Sequence, residues 1–319
     1  MSSYKFSDVF PVIKRIVDFI RQIIVGDPQP IFVITATLLA EGHVLITGPI
    51  GSGKTTLARS VAKAIGGTFS RVQMSNETLP SDLLGFIVYT REGIANIVKG
   101  PIFANVVLLD DINNAPPRTL SALLQAMQEG KVSLDGNVLE LPKPHLIIAT
   151  MNTTEAELGF MPELSIVFLD RFMSNVQTMY VSKDEEKQVI KNSYMIENML
   201  TISKLAPPVS LNELLMAISA VREVYVDDAI TDYLLNLVYE IRRDNRVMVP
   251  ISTRGVISLY RLSQAYALIN GRSYVVPDDI KAMAYPALSH RIIIKPEFRD
   301  VIRPADVIRD TITRIPVPR

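Results

Sequence analysis

Residues 48–55 read Gly-Pro-Ile-Gly-Ser-Gly-Lys-Thr, and this stretch constrains the fold more than any other part of the chain. It follows the apolar run His43–Thr47, which is typical of a buried strand, and it precedes a helix-forming run that begins at Thr56. A strand that passes through G-x-x-x-x-G-K-T into a helix is the phosphate-binding loop pattern. Its glycines let backbone N–H groups surround a β-phosphate, and the helix N-terminus adds partial positive charge. The chain is therefore predicted to bind a nucleoside triphosphate.

The polar side chains of this loop have different predicted roles. Lys54 is spaced to reach the β- and γ-phosphates, and the Thr55 hydroxyl is spaced to ligate Mg²⁺. We therefore expect ATP and Mg²⁺ as the ligands. The loop residues predicted to contact the nucleotide are Pro49, Ile50, Gly51, Ser52, Gly53, Lys54, Thr55 and Thr56.

A second acidic feature follows another apolar run. Val106–Leu109 is predicted to be a central strand, and it ends in Asp110 and Asp111. The first carboxylate can hold Mg²⁺, usually through water, and the next can orient the attacking water. We therefore predict Asp110 as a metal-binding residue and Asp111 as a catalytic residue.

Strands and helices alternate up to about residue 182, which predicts an α/β class with a parallel-sheet αβα core. Two predicted hairpins, 86–98 and 131–141, interrupt this alternation. They are either ordinary surface hairpins or projections that contact a neighbouring subunit or a client. From Ser182 the chain has a capping box and then almost purely helical spacing. We predict a nucleotide-binding core over residues 1–182 and a smaller all-α domain over residues 183–319.

Composition excludes several function classes. Lys and Arg number 33 and Asp and Glu number 33, so no net field favours nucleic acid or an anionic membrane. The chain has no cysteine, which excludes disulfides and agrees with a reducing compartment. The longest uncharged apolar stretch, 28–40, is too short to span a bilayer. We therefore expect a soluble cytoplasmic protein without a membrane span and without nucleic acid as its partner.

The segment from Asp110 to Glu129 carries a family resemblance. It reads DDINNAPPRTLSALLQAMQE and closely resembles the signature segment of the MoxR-type AAA+ ATPases. Further matches are Leu79–Gly85, Gly100–Asn105, Ala149–Asn152 and Leu169–Phe172. The resemblance covers roughly residues 20–290 and implies a P-loop NTPase core of the AAA+ type followed by a C-terminal helical lid.

This resemblance also implies an assembly and a mode of action. It implies a ring-forming ATPase, usually a hexamer, in which each site is shared between subunits. It also implies a chaperone-like role in remodelling proteins, often beside a partner with a von Willebrand A-domain. We therefore expect a homo-oligomeric ring with a protein partner.

Further site residues follow from the resemblance alone. Asn152 matches sensor 1, which donates to the γ-phosphate or holds the attacking water, although a turn-forming Asn is an alternative. Arg171 matches the arginine finger, and the alternative is a surface arginine paired with Asp170. Arg254 matches sensor 2 on the first turn of a lid helix, and the alternative is a plain surface arginine. Val25 and Gly26 match the approach to the adenine ring.

One departure from the family bears on turnover. The family has Glu where this chain has Asp111, which is one methylene shorter, so hydrolysis is expected to be slow. A nucleotide-gated assembly scaffold is therefore an alternative to an ATP-driven remodelling machine. A nucleic-acid motor and a chelatase-type motor, both built on the same ring, are further alternatives.

Overall fold

Five parallel strands form the central sheet. The computed structural model describes residues 5–89, 91, 95–152, 164–201 and 206–318. Within them the strands of this sheet are Val44–Gly48 (β1), Phe69–Gln73 (β2), Val106–Asp110 (β5), Leu146–Asn152 (β8) and Ser174–Gln177 (β9). Their order is β2-β5-β8-β1-β9, and all pairings are parallel. β1 and β5 are buried at every position, as expected for strands covered by helices on both faces. The predicted αβα architecture is confirmed.

The two predicted hairpins lie outside this sheet. The first pairs Gly85–Tyr89 (β3) with Ala95–Lys99 (β4), and the second pairs Lys131–Leu134 (β6) with Asn137–Glu140 (β7). The connecting residues Thr90 and 92–94 of the first hairpin lie outside the described part of the chain. Both hairpins are antiparallel and match the predicted spans closely. Their contact with a subunit or a client stays a prediction.

Helices cover the sheet and build the C-terminal region. Those of the first part are Phe6–Ile23 (α1), Gln29–Leu39 (α2), Lys54–Ala64 (α3), Pro80–Leu84 (α4), Pro117–Glu129 (α5) and Ile166–Leu169 (α6). Those of the second part are Lys183–Thr201 (α7), Leu211–Val221 (α8), Asp228–Arg243 (α9), Thr253–Ile269 (α10), Pro277–Leu288 (α11) and Pro304–Arg314 (α12). None of the described helices is long and apolar enough to cross a membrane.

The start of the helical region follows the predicted capping box. The Ser182 N–H donates to Glu185 Oε2 over 2.7 Å, and α7 begins at the next residue. The region also contains a short antiparallel pair, Val247–Val249 (β10) with Ile293–Ile294 (β11). Sequence spacing did not predict this pair, because strands of two or three residues are too short to show a period of two.

One hydrophobic cluster joins the two predicted domains. It contains Ile16 of α1 and Ile34 of α2 together with Leu259 of α10 and Ile280 of α11, all fully buried. The buried residues of α1 form the apolar face that enters this cluster. The helical region therefore packs against α1 and α2, which precede the sheet in the chain. The domain division at residues 182 and 183 stays a prediction.

Candidate functional site

The phosphate-binding loop runs from the end of β1 to the start of α3. Gly51 and Gly53 have φ values of +76° and +83°, which glycine adopts without steric cost. Gly53 is the residue immediately before α3, so the loop turns directly into the helix N-terminus. Ser52 Oγ donates to the carbonyl of Pro49 over 2.9 Å, which closes the turn. The backbone is therefore shaped as phosphate binding requires.

Lys54 lies folded over this loop. Its Nζ donates to the carbonyl oxygens of Gly48 and Pro49, over 2.9 and 2.7 Å. The pKa of Lys54 is lowered overall, because the effect of burial outweighs the opposite effect of the negative charges of Asp111 and Asp110. The ammonium group is thus held at the loop by neutral carbonyls, close to two carboxylates.

The acidic pair at the end of β5 lies next to the loop. Asp110 is almost fully buried, and its Oδ2 lies 3.4 Å from the hydroxyl of Thr55. Its Oδ1 accepts a short hydrogen bond from Thr150 Oγ1 on the adjacent strand β8, and the same Thr150 oxygen accepts the N–H of Asp111. Asp111 has a left-handed backbone, φ 54° and ψ 54°, which Asp adopts more readily than most side chains. Thr150 therefore fixes both acidic residues.

Two side chains of β2 hold the acidic pair from the solvent side. Arg71 donates to Asp110 Oδ2 through Nε and Nη2, over 3.0 and 2.7 Å. Gln73 Nε2 donates to Asp111 Oδ2 over 2.7 Å. The sequence analysis missed both residues and also Thr150. An available signal was the alternation of polar and apolar side chains in Arg71-Val72-Gln73.

Asn152 is the last residue of β8. It pairs with Gly48 in the register between β8 and β1, so it lies beside the first residue of the phosphate loop. Its exposure is 5%. The position agrees with the role that the resemblance implies, and that role is taken up below as a proposal.

A cavity of about 910 Å³ opens beside the loop. Its lining includes Val25 and Gly26 after α1, the loop residues Gly51, Ser52 and Gly53, Thr56 of α3, residues 177–181 and one face of α7. Tyr180 crosses its edge and donates from its hydroxyl to the carbonyl of Ile50 over 2.8 Å. The cavity has the size of small-molecule sites, which range from about 300 to 1,000 Å³. Val25 and Gly26 thus lie in one cavity with the phosphate loop.

A second cluster of charged groups surrounds Asp170. Arg254 Nη1 lies 2.6 Å from Asp170 Oδ2, and Arg291 Nε lies 2.8 Å from Asp170 Oδ1. Ser252 Oγ also donates to Oδ1, over 2.8 Å. Burial raises the pKa of Asp170, but the hydrogen bonds from Arg291 and Ser252 outweigh this and hold it below its ordinary value. Arg254 is therefore ion-paired with Asp170 at the start of α10, with its side chain 44% exposed.

Arg171 is not a partner in that ion-pair cluster, although it follows Asp170 directly. Its guanidinium faces Gln128 of α5. With the Gln128 amide oriented so that its oxygen faces Arg171, that oxygen accepts a hydrogen bond from Arg171 Nη2 over 2.9 Å. Burial lowers the pKa of Arg171, the charge of Arg254 lowers it further, and Asp170 acts in the opposite direction. The alternative in which Arg171 is simply the surface partner of Asp170 does not describe this arrangement.

The residues at the end of β5 fit a hard divalent cation. A buried carboxylate oxygen and a threonine hydroxyl lie 3.4 Å apart, and Mg²⁺ prefers oxygen ligands of this kind. Asp110 and Thr55 would hold it, and it would neutralise charge on the β- and γ-phosphates of a bound nucleotide.

A parallel sheet in this order, a phosphate loop after β1, an acidic pair after β5 and a helical lid together define an AAA+ ATPase fold. A family model for the "ATPase family associated with various cellular activities (AAA)" matches residues 43–174, and a model for the "AAA lid domain" matches residues 240–311. The chain belongs to the MoxR family of AAA+ ATPases, because relatives named for that family match 93–96% of it.

Two relatives and a solved structure that match most of the chain support that conclusion. "Uncharacterized protein YeaC" of Bacillus subtilis is 36% identical, over 98% of this chain and 96% of the relative. "Chaperone MoxR1" of Mycobacterium tuberculosis is 31% identical, over 96% of this chain and 82% of the relative. A crystal structure from Cytophaga hutchinsonii, described as a presumed ATPase, superposes with a TM-score of 0.88 at 30% identity and covers 98% of this chain and 97% of its own.

Proposed function

We propose that this chain binds ATP with Mg²⁺ at the phosphate loop and hydrolyses it. The observation that carries the proposal is the approach of Thr55 to the buried carboxylate of Asp110, directly beside Lys54 and the loop. Lys54 exchanges its two loop carbonyls for the β- and γ-phosphates. The N–H groups around Gly51 and Gly53 hold the β-phosphate.

Two further residues support the hydrolytic step in this proposal. Asp111 accepts a hydrogen bond from the attacking water and orients it toward the γ-phosphate. Asn152, at the neighbouring strand end, donates its amide N–H to the γ-phosphate or to that water. Val25 and Gly26 bound the part of the cavity that receives the adenine ring.

We extend the proposal to a ring in which neighbouring subunits complete each site. Arg171 stabilises developing charge on the nucleotide of the adjacent subunit, and Arg254 reaches its own nucleotide after leaving Asp170. The proposed assembly is a homo-hexamer that remodels a protein partner in the cytoplasm, such as one with a von Willebrand A-domain. The name of the mycobacterial relative, a chaperone, supports this direction.

The Arg171→Ala variant tests the shared site. We expect ATP binding to be retained, because Arg171 faces Gln128 in its own subunit rather than the loop. Hydrolysis per subunit should rise with protein concentration in the wild type and fall about a thousandfold in the variant, the lower end of reported finger effects. The measurement is steady-state phosphate release over a concentration series.

Arg222→Ala serves as the control, because it removes the same charge from an exposed ion pair with Glu41. It should hydrolyse ATP at the wild-type rate at every concentration. Normal hydrolysis by Arg171→Ala would mean that another residue acts across the interface.

A second candidate is a scaffold that assembles on ATP binding and turns over slowly. The observation that favours it is the geometry of Asp111, whose short carboxylate is held by Gln73. Under this proposal ATP binding, not repeated hydrolysis, holds the partner.

The Asp111→Glu variant tests whether the short acid limits turnover. If the short acid limits turnover, the longer side chain should raise kcat severalfold. Its left-handed backbone suits Asp better than Glu, so the melting temperature should fall slightly. Phosphate release and thermal melting are measured together. An unchanged or lower kcat in a folded variant would point to another group as the water-orienting residue.

A further inference from the structure

Arg71 covers the buried carboxylate of Asp110 from outside. The Arg71 side chain is 51% exposed, whereas the Asp110 side chain is 10% exposed. Two nitrogens of the guanidinium converge on a single oxygen, Asp110 Oδ2. Hydrogen bonds between ionised groups are about twice as strong as neutral ones. Arg71 thus supplies a directly paired cation to a carboxylate that is nearly buried.

The oxygen that Arg71 contacts is the one that faces Thr55. Asp110 Oδ2 lies 3.4 Å from Thr55 Oγ1, and the other oxygen, Oδ1, accepts from Thr150. A cation bound between Asp110 and Thr55 must therefore share or displace the guanidinium. Because the charges of Arg71 and a divalent cation have the same sign, their simultaneous binding at this oxygen is unfavourable.

Gln73 holds Arg71 in this position. Residues two apart on a strand lie on the same face, and both side chains lie on the exposed face of β2. Arg71 Nη2 donates to Gln73 Oε1 over 3.3 Å, and Gln73 donates onward to Asp111. The guanidinium is therefore part of a chain of hydrogen bonds that joins both acidic residues.

We propose that Arg71 is a resident counter-cation of Asp110 that Mg²⁺ displaces when it binds with nucleotide. This inference rests on the proposed function. Arg71 acts through Asp110 and is a positioning residue. While Arg71 is paired with Asp110, the charge of Asp110 is offset, so Asp110 repels the phosphates of a metal-free nucleotide less strongly. Bound Mg²⁺ would supply that neutralisation, and the half-exposed guanidinium of Arg71 would be released toward solvent.

Calorimetric titration with ADP tests the proposal without any hydrolysis. The affinity for ADP is measured once in EDTA and once in saturating Mg²⁺. The affinity in Mg²⁺ divided by the affinity in EDTA reports the contribution of the metal. In Arg71→Ala the affinity in EDTA should fall, because Asp110 then repels the phosphates. The affinity in Mg²⁺ should stay close to wild type. The ratio should therefore rise about tenfold, a value typical of one charge-assisted hydrogen bond.

Three variants sharpen the result. Arg71→Gln is a second neutral variant and should raise the ratio in the same way. Arg71→Lys keeps a cation at the site and should leave the ratio within about threefold of wild type, since a lysine makes a single contact. Arg222→Ala changes the net charge equally at a surface pair and should leave the ratio unchanged.

The remaining outcomes decide against the proposal in distinct ways. An unchanged ratio in both neutral variants would make Arg71 an ordinary surface partner of Asp110. A lower ratio would mean that Arg71 orients Asp110 for the metal and does not compete with it. Absence of ADP binding by the wild type in either buffer would instead overturn the proposed function itself.

Discussion

Lys54→Ala is expected to weaken the binding of a non-hydrolysable ATP analogue about 100-fold. Lys54 Nζ donates to two neutral carbonyl oxygens of the loop, and it is placed to exchange them for two phosphates. A hydrogen bond to a charged group contributes roughly 1.5–3 kcal/mol, and about 2.7 kcal/mol corresponds to 100-fold. Calorimetric titration in Mg²⁺ measures the loss.

Lys63→Ala is the matched control for this variant. It removes the same charge from the other end of α3, away from the helix N-terminus. Its affinity should equal that of the wild type, and both variants should melt within a few degrees of it. An unchanged affinity in Lys54→Ala would mean that the phosphate-binding loop is not part of the nucleotide-binding site.

Local signals in the sequence suffice for the parts of the site that are contiguous in the chain. The apolar strand, the glycines and Lys54 are neighbours, so their conformation is largely decided within about ten residues. The carboxyl ends of parallel strands meet at one edge of a sheet, which is why Asp110 could be placed beside the loop, whereas Asn152 followed from the family resemblance. These parts of the arrangement were predictable before the fold was known.

The partners of Asp110 and Asp111 were harder to predict. Arg71 and Gln73 precede the acidic pair by 39 and 38 residues. Their contacts depend on the register between β2 and β5, in which Gln73 lies opposite Asp110. Alternation along β2 indicates that Arg71 and Gln73 share a face, but it does not give their cross-strand neighbours. Register is a property of the assembled sheet.

The Asp170 cluster was beyond sequence reasoning for the same reason. The sequence offered pairing with the adjacent Arg171 only as an alternative to the arginine finger that the resemblance implies. The structure instead gives Asp170 two partners from the helical region, Arg254 and Arg291, which lie 84 and 121 residues further along the chain. Nothing in the local pattern around Arg291 distinguishes it from a surface arginine. Its burial follows only from how the helical region packs on the sheet domain.

Arg291→Ala is therefore expected to have the largest effect on stability. The Arg291 side chain is 2% exposed, and besides Asp170 it donates to the carbonyls of Phe172 and Ala287. Removing one partner of a buried pair costs about 3–5 kcal/mol, and the remaining ion pair between Asp170 and Arg254 places the expected loss at the lower end of that range. The loss should appear as a lower midpoint in urea unfolding followed by circular dichroism.

Arg254→Ala provides the comparison that isolates burial. It removes the same charge from the same carboxylate, but the Arg254 side chain is 44% exposed, so water replaces much of what is lost. Exposed pairs contribute about 0–1 kcal/mol, and the midpoint should shift correspondingly little. Equal losses in the two variants would show that the ion pairs themselves dominate. A large loss confined to Arg291→Ala would instead show that Asp170 joins the helical region to the sheet domain through its buried partner. In that case Arg254 could exchange Asp170 for a nucleotide with little loss of folding stability.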